Sequence, residues 1–382
     1  MKVLMVSPHL PAPKTLQAGE RLLYGLIRLL SERHEIHLVV RVNRGQEPFL
    51  RDLDPFCAAI HPVLYNRPAR KNIFTIWKVI HSYARLCRTA NELADREAFD
   101  LVHAEWTETG VFMKRKREML IVAVDVLAKP MKRRYEKSRG TRSFAYAVLY
   151  WLTKRIECGL YRQCRTVCVM SDYDKQFLRG MDPSLNVRVL THPVDVPVPS
   201  DRQFEPDKRS VLFVGAMDRR PNIEAVFYFY RSILPAIRKQ MPDLRFYVVG
   251  SRPLPEVYKL GTSDANISVT GFVEDLEPYY GKAHVFVAPL LTGGGILVKI
   301  IDAMASGVPV VTTSVGNEGV GAAAGTHLLV ADTPSEFADK VILLFHDERL
   351  WRHVSSAGRD FARNRFSLEN LRQSLENSYP GT

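Results

Sequence analysis

The sequence predicts an α/β protein of two Rossmann-like domains with buried parallel sheets, and three observations point to it. Short apolar runs rich in β-branched residues alternate with segments of helical period along the whole chain. They fall into two successive series, separated by a Pro-rich stretch. At 382 residues the chain is long enough for two domains of ordinary size, roughly 100–200 residues each.

Taken in order, "KVLMVSP", "EIHLVVRV", "FDLVHAEW", "LIVAVDV" and "TVCVMS" are the strands of the first series. The helical pattern of "GERLLYGLIRLLSER" lies between the first two and completes a βαβ unit. At Asn186–Ser200, "NVRVLTHPVDVPVPS" carries a strand into a proline-rich connector, which sets domains at 1–197 and 198–364. The second series then runs "SVLFVGAM", "LRFYVVGS", "ISVTGF", "HVFVAPLL", "VPVVTTS" and "HLLVADT". Such near-continuous apolar strands are buried on both faces, as in parallel sheets. Ligands are then expected outside the carboxyl ends of the strands, in a cleft between the domains. "GVGAAAG" (Gly319–Gly325) mimics a dinucleotide fingerprint, but a strand follows where a helix should, so it reads as a loop.

Composition narrows the partners. Hydrophobic residues make up 46% and charged residues 25%, ordinary values for a globular chain. No run approaches the roughly 18 uncharged apolar residues that span a bilayer, and Pro8 ends the first apolar run too early for a secretion signal. Five cysteines without a Cys-x-x-Cys pair fit a reducing cytoplasm better than a disulfide or metal framework. The formal net charge of +12 favours an anionic partner, with basic clusters at Lys114–Glu118 and Lys129–Arg142. Each cluster reads either as a solvated helix face or as contact with an anion. No zinc-finger, RNP-type or basic-zipper pattern accompanies them, which argues against nucleic acid. The aromatic-rich, arginine-flanked stretch Arg142–Arg165 reads as a buried helix crossing the first domain. The competing reading rests it on lipid headgroups.

The chemistry concentrates in "LLTGGGILVKIIDAMASGVPVV". A strand delivers the chain to Gly293, Gly294 and Gly295, and a helix is expected directly after them. Leu297, Ile300, Ile301 and Met304 form its apolar face, and Gly307 with Pro309 ends it. Glycines at a helix start let an anion approach free N–H groups. Lys299, one turn in, adds a full positive charge, and Asp302 offers ribose hydroxyls a carboxylate. The alternative is a glycine turn followed by a local Lys–Asp ion pair.

This stretch resembles the nucleotide-sugar motif of the GT-B glycosyltransferases, specifically the retaining family 4 (group 1). The family form is Glu, seven residues, Glu, then Ala-Met-Ala-x-Gly-x-Pro-Val-Val, and Asp302–Val311 matches its tail. "GGGILVK" is similar to the subgroup form Gly-Gly-Gly-Thr-Arg-Leu-Lys. Phe213–Val226, "FYVVGSRP" and "VTGFVEDLEPYYGKAHVFVAPL" occupy the family's other expected places. Three departures stand out: the first Glu falls at Gly294, the second is the shorter Asp302, and the subgroup arginine falls at Leu297. A family Arg and Lys fall at Ala216 and Pro221, with Arg219 or Arg220 as substitutes. The resemblance implies the GT-B fold, with two parallel sheets facing across a cleft and a C-terminal helix, about residues 365–382, packing back on the first domain. It implies a donor site of Gly215, Arg219, Arg220, Gly271, Gly293, Gly294, Gly295, Ile296, Leu297, Lys299, Asp302 and Glu318.

In the first domain the resemblance implies an acceptor loop at Gly19. It also implies a polar pair at the end of a middle strand, where Asp125 is the nearest match and the family histidine is missing. His103 and Glu105 end the preceding strand and are candidates for the same side. The expected catalytic set is thus Asp125, Lys299 and His103, and the acceptor set Gly19, His103 and Glu105. Neither metal nor cofactor is expected, because a helix start and cations can stabilise a leaving diphosphate. The expected activity is retaining transfer of a sugar from a nucleoside diphosphate to a glycan or lipid-linked acceptor, in bacterial surface-polysaccharide synthesis. The protein would be cytoplasmic and peripheral at the anionic inner membrane face, with its oligomeric state left open. The rival readings are a GT-B sugar epimerase and a non-catalytic sugar-nucleotide or polysaccharide-binding protein.

Overall fold

The computed structural model describes residues 1–13, 18–66, 73–194, 207–293 and 295–379. The chain divides into two compact units, Met1–Leu190 with Arg372–Thr382, and Thr191–Leu371.

The first unit holds a seven-stranded, wholly parallel sheet. In chain order its strands are β1 (Lys2–Ser7), β2 (Glu35–Asn43), β3 (Ala59–Tyr65), β4 (Leu101–Glu105), β5 (Met119–Ala123), β6 (Thr166–Val169) and β7 (Val187–Val189). They lie in the order β3-β2-β1-β4-β5-β6-β7. The central strands are buried on both faces, as their unbroken apolar sequences require. β3 has no counterpart among the sequence-predicted strands. Its "AIHPVLY" carries a proline, which cannot donate to a ladder; the strand sits at the sheet edge, where that loss is tolerated, and Leu64 is exposed.

The second unit holds a six-stranded parallel sheet of β8 (Asp207–Val214), β9 (Arg245–Val249), β10 (Ile267–Val269), β11 (Ala283–Ala288), β12 (Val310–Thr312) and β13 (Leu329–Val330). Its order is β10-β9-β8-β11-β12-β13, and Phe229, Phe246 and Phe337 lock its core through tilted and edge-on ring contacts.

Both sheets reverse direction at their centre. From β1 the chain steps outward through β2 and β3, then returns to the other side of β1 as β4. From β8 it does the same through β9 and β10 before returning as β11. The loops leaving β1 and β4, and those leaving β8 and β11, therefore part to opposite faces and leave a crevice at the carboxyl edge.

Two features of the first unit bear on function. The helix Thr141–Tyr161 is not the buried crossing helix expected: only its carboxyl end enters the core, through Glu157, Cys158, Leu160 and Tyr161. The Glu157 carboxylate accepts the N–H groups of Leu127 and Ala128, capping the helix Ala128–Lys137 that no local side chain caps. The helix Leu368–Glu376 returns the chain to this unit. Arg372 pairs with Glu32, Glu376 pairs with Arg33, and buried Tyr379 bonds through its hydroxyl to His103 Nδ1.

Candidate donor and acceptor sites

The second sheet's switch point gathers most of the predicted donor residues. Gly215 follows β8, and its carbonyl lies against Gly250, where a Cβ would fall 1.9 Å from Gly215 O. Gly250 has φ +152° and donates its N–H to Gly271 O at 3.2 Å. Only a residue without a side chain lets the ends of β8, β9 and β10 meet this closely. A Cβ on Gly215 would lie 2.7 Å from both Asn222 Nδ2 and Lys299 Nζ, so the glycine leaves the room these groups occupy.

Lys299 is half-buried on the helix Val298–Ala305, with Nζ 4.6 Å from the Phe213 ring centroid and donating to Asn222 Oδ1 at 2.6 Å. Asn222 in turn donates to Ala216 O at 2.9 Å. Burial, and secondarily the Arg219 guanidinium, lower the Lys299 pKa to about 7. Two cationic side chains thus converge on a backbone-lined floor, an arrangement that a diphosphate relieves.

The helix begins at Val298 rather than directly after the glycines, so Lys299 is its second residue and not one turn in. Gly295, with φ +65°, and Ile296 form an extra loop that packs on Gly319; a Cβ there would fall 2.5 Å from Gly295 O. This contact brings Glu318, which is half-buried, beside the glycine loop. Ile296 and Leu297 are half-buried against the core of the unit. Gly293 is half-buried as well, and Gly294 lies outside the described residues. Asp302 is only 5% exposed, so the carboxylate expected on an open helix face is withdrawn from solvent. The helix ends as expected: Gly307 has φ +78°, its N–H bonds Met304 O, and Val308 N–H bonds Ala303 O. Arg219 is exposed beside this floor, whereas Arg220 pairs with Glu224 at 2.6 Å, and Glu224 accepts from Thr292 Oγ1. Glu224, steadied by Arg220, therefore ties the first helix of the unit to the glycine-bearing loop.

The first sheet's switch point gathers His9, Gly19 and Trp106. A Cβ on Gly19 would lie 2.9 Å from the Trp106 ring. Trp106 follows β4 with φ +63°, a rare value for a bulky residue, and its ring lies 4.6 Å from that of His9. His9 Nδ1 is 4.0 Å from the Glu20 carboxylate. Asp125 is exposed in the bend after β5.

His103 and Glu105 lie inside the sheet. His103 is the middle residue of β4, wholly buried, and both ring nitrogens are engaged, one by Tyr379 and one by Glu105 Oε1 at 2.8 Å. Glu105 is buried with it. The pair has the geometry of an internal clasp on the returning C-terminal segment, and we propose that structural role for both in place of the expected acceptor and catalytic ones. Two carboxylates two residues apart, Asp172 and Asp174, follow β6. Asp174 is accounted for by the buried ammonium of Lys129 and by Ser171 Oγ. Among the described residues, no group of three or more His, Cys, Asp or Glu side chains converges as a metal site would.

Sequence reasoning missed Asn222, Gly250, Gly319, Trp106 and Tyr379. Asn222 left a readable signal: it shares the buried helix face of Ala225, Val226 and Phe229, where a polar residue needs a dedicated partner. The other four depend on which loops meet, and the local sequence carries no trace of that.

Residues 208–347 match the family model described as glycosyl transferases group 1. A Klebsiella pneumoniae protein, described as an uncharacterized 44.6 kDa protein in cps region, is 29% identical over 186 residues; the match spans 46% of this chain and 48% of that relative. The fold is similar to that of sucrose-phosphate synthase from Thermosynechococcus elongatus, with a TM-score of 0.71, 18% identity, and 98% and 97% of the two chains covered. It is also similar to Anabaena HepE in complex with UDP and glucose, with a TM-score of 0.68, 15% identity and 100% of both chains covered. Residues 208–347 are thus similar to the group 1 glycosyltransferases, and the fold of the chain is GT-B.

Proposed function

We propose that this protein transfers a sugar, with retention and without a metal, from a nucleoside diphosphate to a glycan or lipid-linked acceptor. The observation that carries the reading is the Lys299 ammonium, bonded to Asn222 above the glycine floor of Gly215 and under the field of Arg219. A diphosphate is the ligand whose charge such a site complements. UDP-glucose is the working donor, since a protein of similar fold binds UDP and glucose.

In the reaction the sugar C1–O bond to the diphosphate breaks and a C1–O bond to the acceptor hydroxyl forms on the same face. The hydroxyl proton passes to the departing diphosphate oxygen. Lys299 and Arg219 stabilise the negative charge that develops on that diphosphate, the role a metal plays elsewhere. Gly293, Gly295 and Ile296 offer close backbone approach, and Asp302 and Glu318 complete the donor side. The acceptor enters over the first unit at the β1/β4 switch point, by Gly19 and Trp106, with Asp125 as its polar contact. The relative in the cps region accords with a role in bacterial surface-polysaccharide assembly. The acceptor's lipid then places the protein in the cytoplasm, at the inner membrane face.

The test is release of UDP from UDP-glucose and related donors without acceptor. Slow release that resists EDTA and disappears in Lys299→Met supports the proposal. Tight donor binding with no release from any donor would make the protein a sugar-nucleotide-binding module instead.

A further inference from the structure

The helix Thr141–Tyr161 exposes a long apolar stripe. Phe144 is 74%, Trp151 56% and Ile156 60% exposed, and Val148, Leu149 and Leu152 fill the spaces between them. These positions recur at about one and two helical turns, so they lie along one side of a helix roughly 31 Å long. A single exposed apolar residue needs no explanation, but a contiguous stripe of six does. No helix among the described residues is long and apolar enough to cross a membrane, so the stripe is not part of a span.

The charges around it are one-sided. Between Ala128 and Arg162 the chain carries ten Lys or Arg and two Glu. Of the ten, Lys129 is committed to Asp174 inside the unit. Arg134, Lys137, Arg139, Arg142 and Arg155 are exposed. Two of them stand beside rings of the long helix, with Arg134 5.9 Å from the Tyr146 centroid and Arg155 5.6 Å from that of Trp151. A second copy of the chain set against this stripe would bring like charge against like charge. An anionic bilayer accepts the apolar stripe below its headgroups and the cations at headgroup level.

We propose that the helices Ala128–Lys137 and Thr141–Tyr161 together form a docking surface for an anionic lipid bilayer, with the apolar stripe of the longer helix lying in the plane of the interface. The proposal rests on the glycosyltransferase reading only for its purpose, which is to bring a lipid-linked acceptor to the first unit. Its physical content stands on the exposed side chains.

Flotation of the full chain with vesicles of phosphatidylcholine, alone or with phosphatidylglycerol, tests it. Association with the anionic vesicles is expected, at least tenfold tighter than with phosphatidylcholine alone, and weakening as salt is raised. Removing three cations in Arg134→Ser/Lys137→Ser/Arg139→Ser should weaken it by roughly a hundredfold, at about fivefold per charge. Phe144→Ser/Trp151→Ser/Ile156→Ser should abolish flotation, with Trp151→Ser alone as the milder variant should the triple fail to fold. UDP-glucose binding is measured on every variant and should not change, so a failure of docking stays separate from a failure of the donor site. Equal affinity for both vesicle types, or variants that float like the parent, would overturn the proposal. So would a dimer in sedimentation equilibrium that the apolar variant dissolves, since it would assign the stripe to self-association.

Discussion

Titrating UDP-glucose across pH is the sharpest probe of Lys299. The unoccupied lysine has a pKa of about 7, lowered first by burial and then by Arg219. A diphosphate beside the ammonium should return it toward its ordinary range near 10.4. UDP-glucose is the better ligand than UDP, whose terminal phosphate titrates near 6 and would mask the effect. With those two values, affinity should fall roughly tenfold between about pH 6 and pH 8, and roughly tenfold again by about pH 9. Calorimetry in buffers of different ionisation enthalpy should detect uptake of about half a proton on binding at pH 7 and about 0.9 at pH 8. Lys299→Met should lose the affinity and the slope together. Lys299→Arg cannot deprotonate, so it should keep part of the affinity and lose only the slope. A dissociation constant flat across this range, without buffer-dependent heat, would refute the reasoning. The same lysine acts on stability: its folded pKa is lowered, so from about pH 7 to 10.5 the unfolded chain binds more protons. The unliganded protein should therefore gain stability as pH rises through that window, a gain that Lys299→Met removes.

Other perturbations read out neighbouring features. Gly215→Ala places a Cβ 2.7 Å from Lys299 Nζ and Asn222 Nδ2, and should raise the donor KM more than tenfold with little change in melting temperature. Gly319→Ala presses on Gly295 O and should lower UDP release while the circular dichroism spectrum is preserved. Tyr379→Phe leaves His103 short of a partner in the core; it should cost about 1–3 kcal/mol in urea unfolding and leave donor hydrolysis unchanged. Glu157 has its pKa raised to about 7, chiefly by burial and against the N–H bonds it accepts. The unfolded chain thus releases this proton first, and stability should fall as pH rises from about 4.5 to 7; Glu157→Gln should flatten that fall in thermal melts.

Much of the fold was legible because both sheets are parallel and buried, which forces unbroken apolar strands such as "VLFV" and "HVFVA". β3 escaped because an edge strand tolerates a proline and an alternating pattern. At the proposed donor site, the grouping of Lys299 with its glycines was legible because close backbone approach demands residues without side chains. Their partner Asn222 was legible only as a polar residue on a buried helix face; that it pairs with Lys299 was not, since the contact spans 77 positions of sequence. The surroundings of His103 were not legible for a related reason: a histidine in an apolar run points equally to a ligand or to a buried partner, and its partner is 276 residues away.

That long reach has a consequence for synthesis. The sheet of the first unit is complete once Val189 has emerged, yet the groups that close it, Arg372, Glu376 and Tyr379, are translated only after the whole second unit. While the chain is still on the ribosome, His103 waits without the hydroxyl that satisfies its Nδ1. The first unit should therefore emerge as a loosened, protease-sensitive body that tightens only when residue 379 arrives. A chain stopped at 371 should keep that immature form, with its defect at the opposite end of the sequence from the cut.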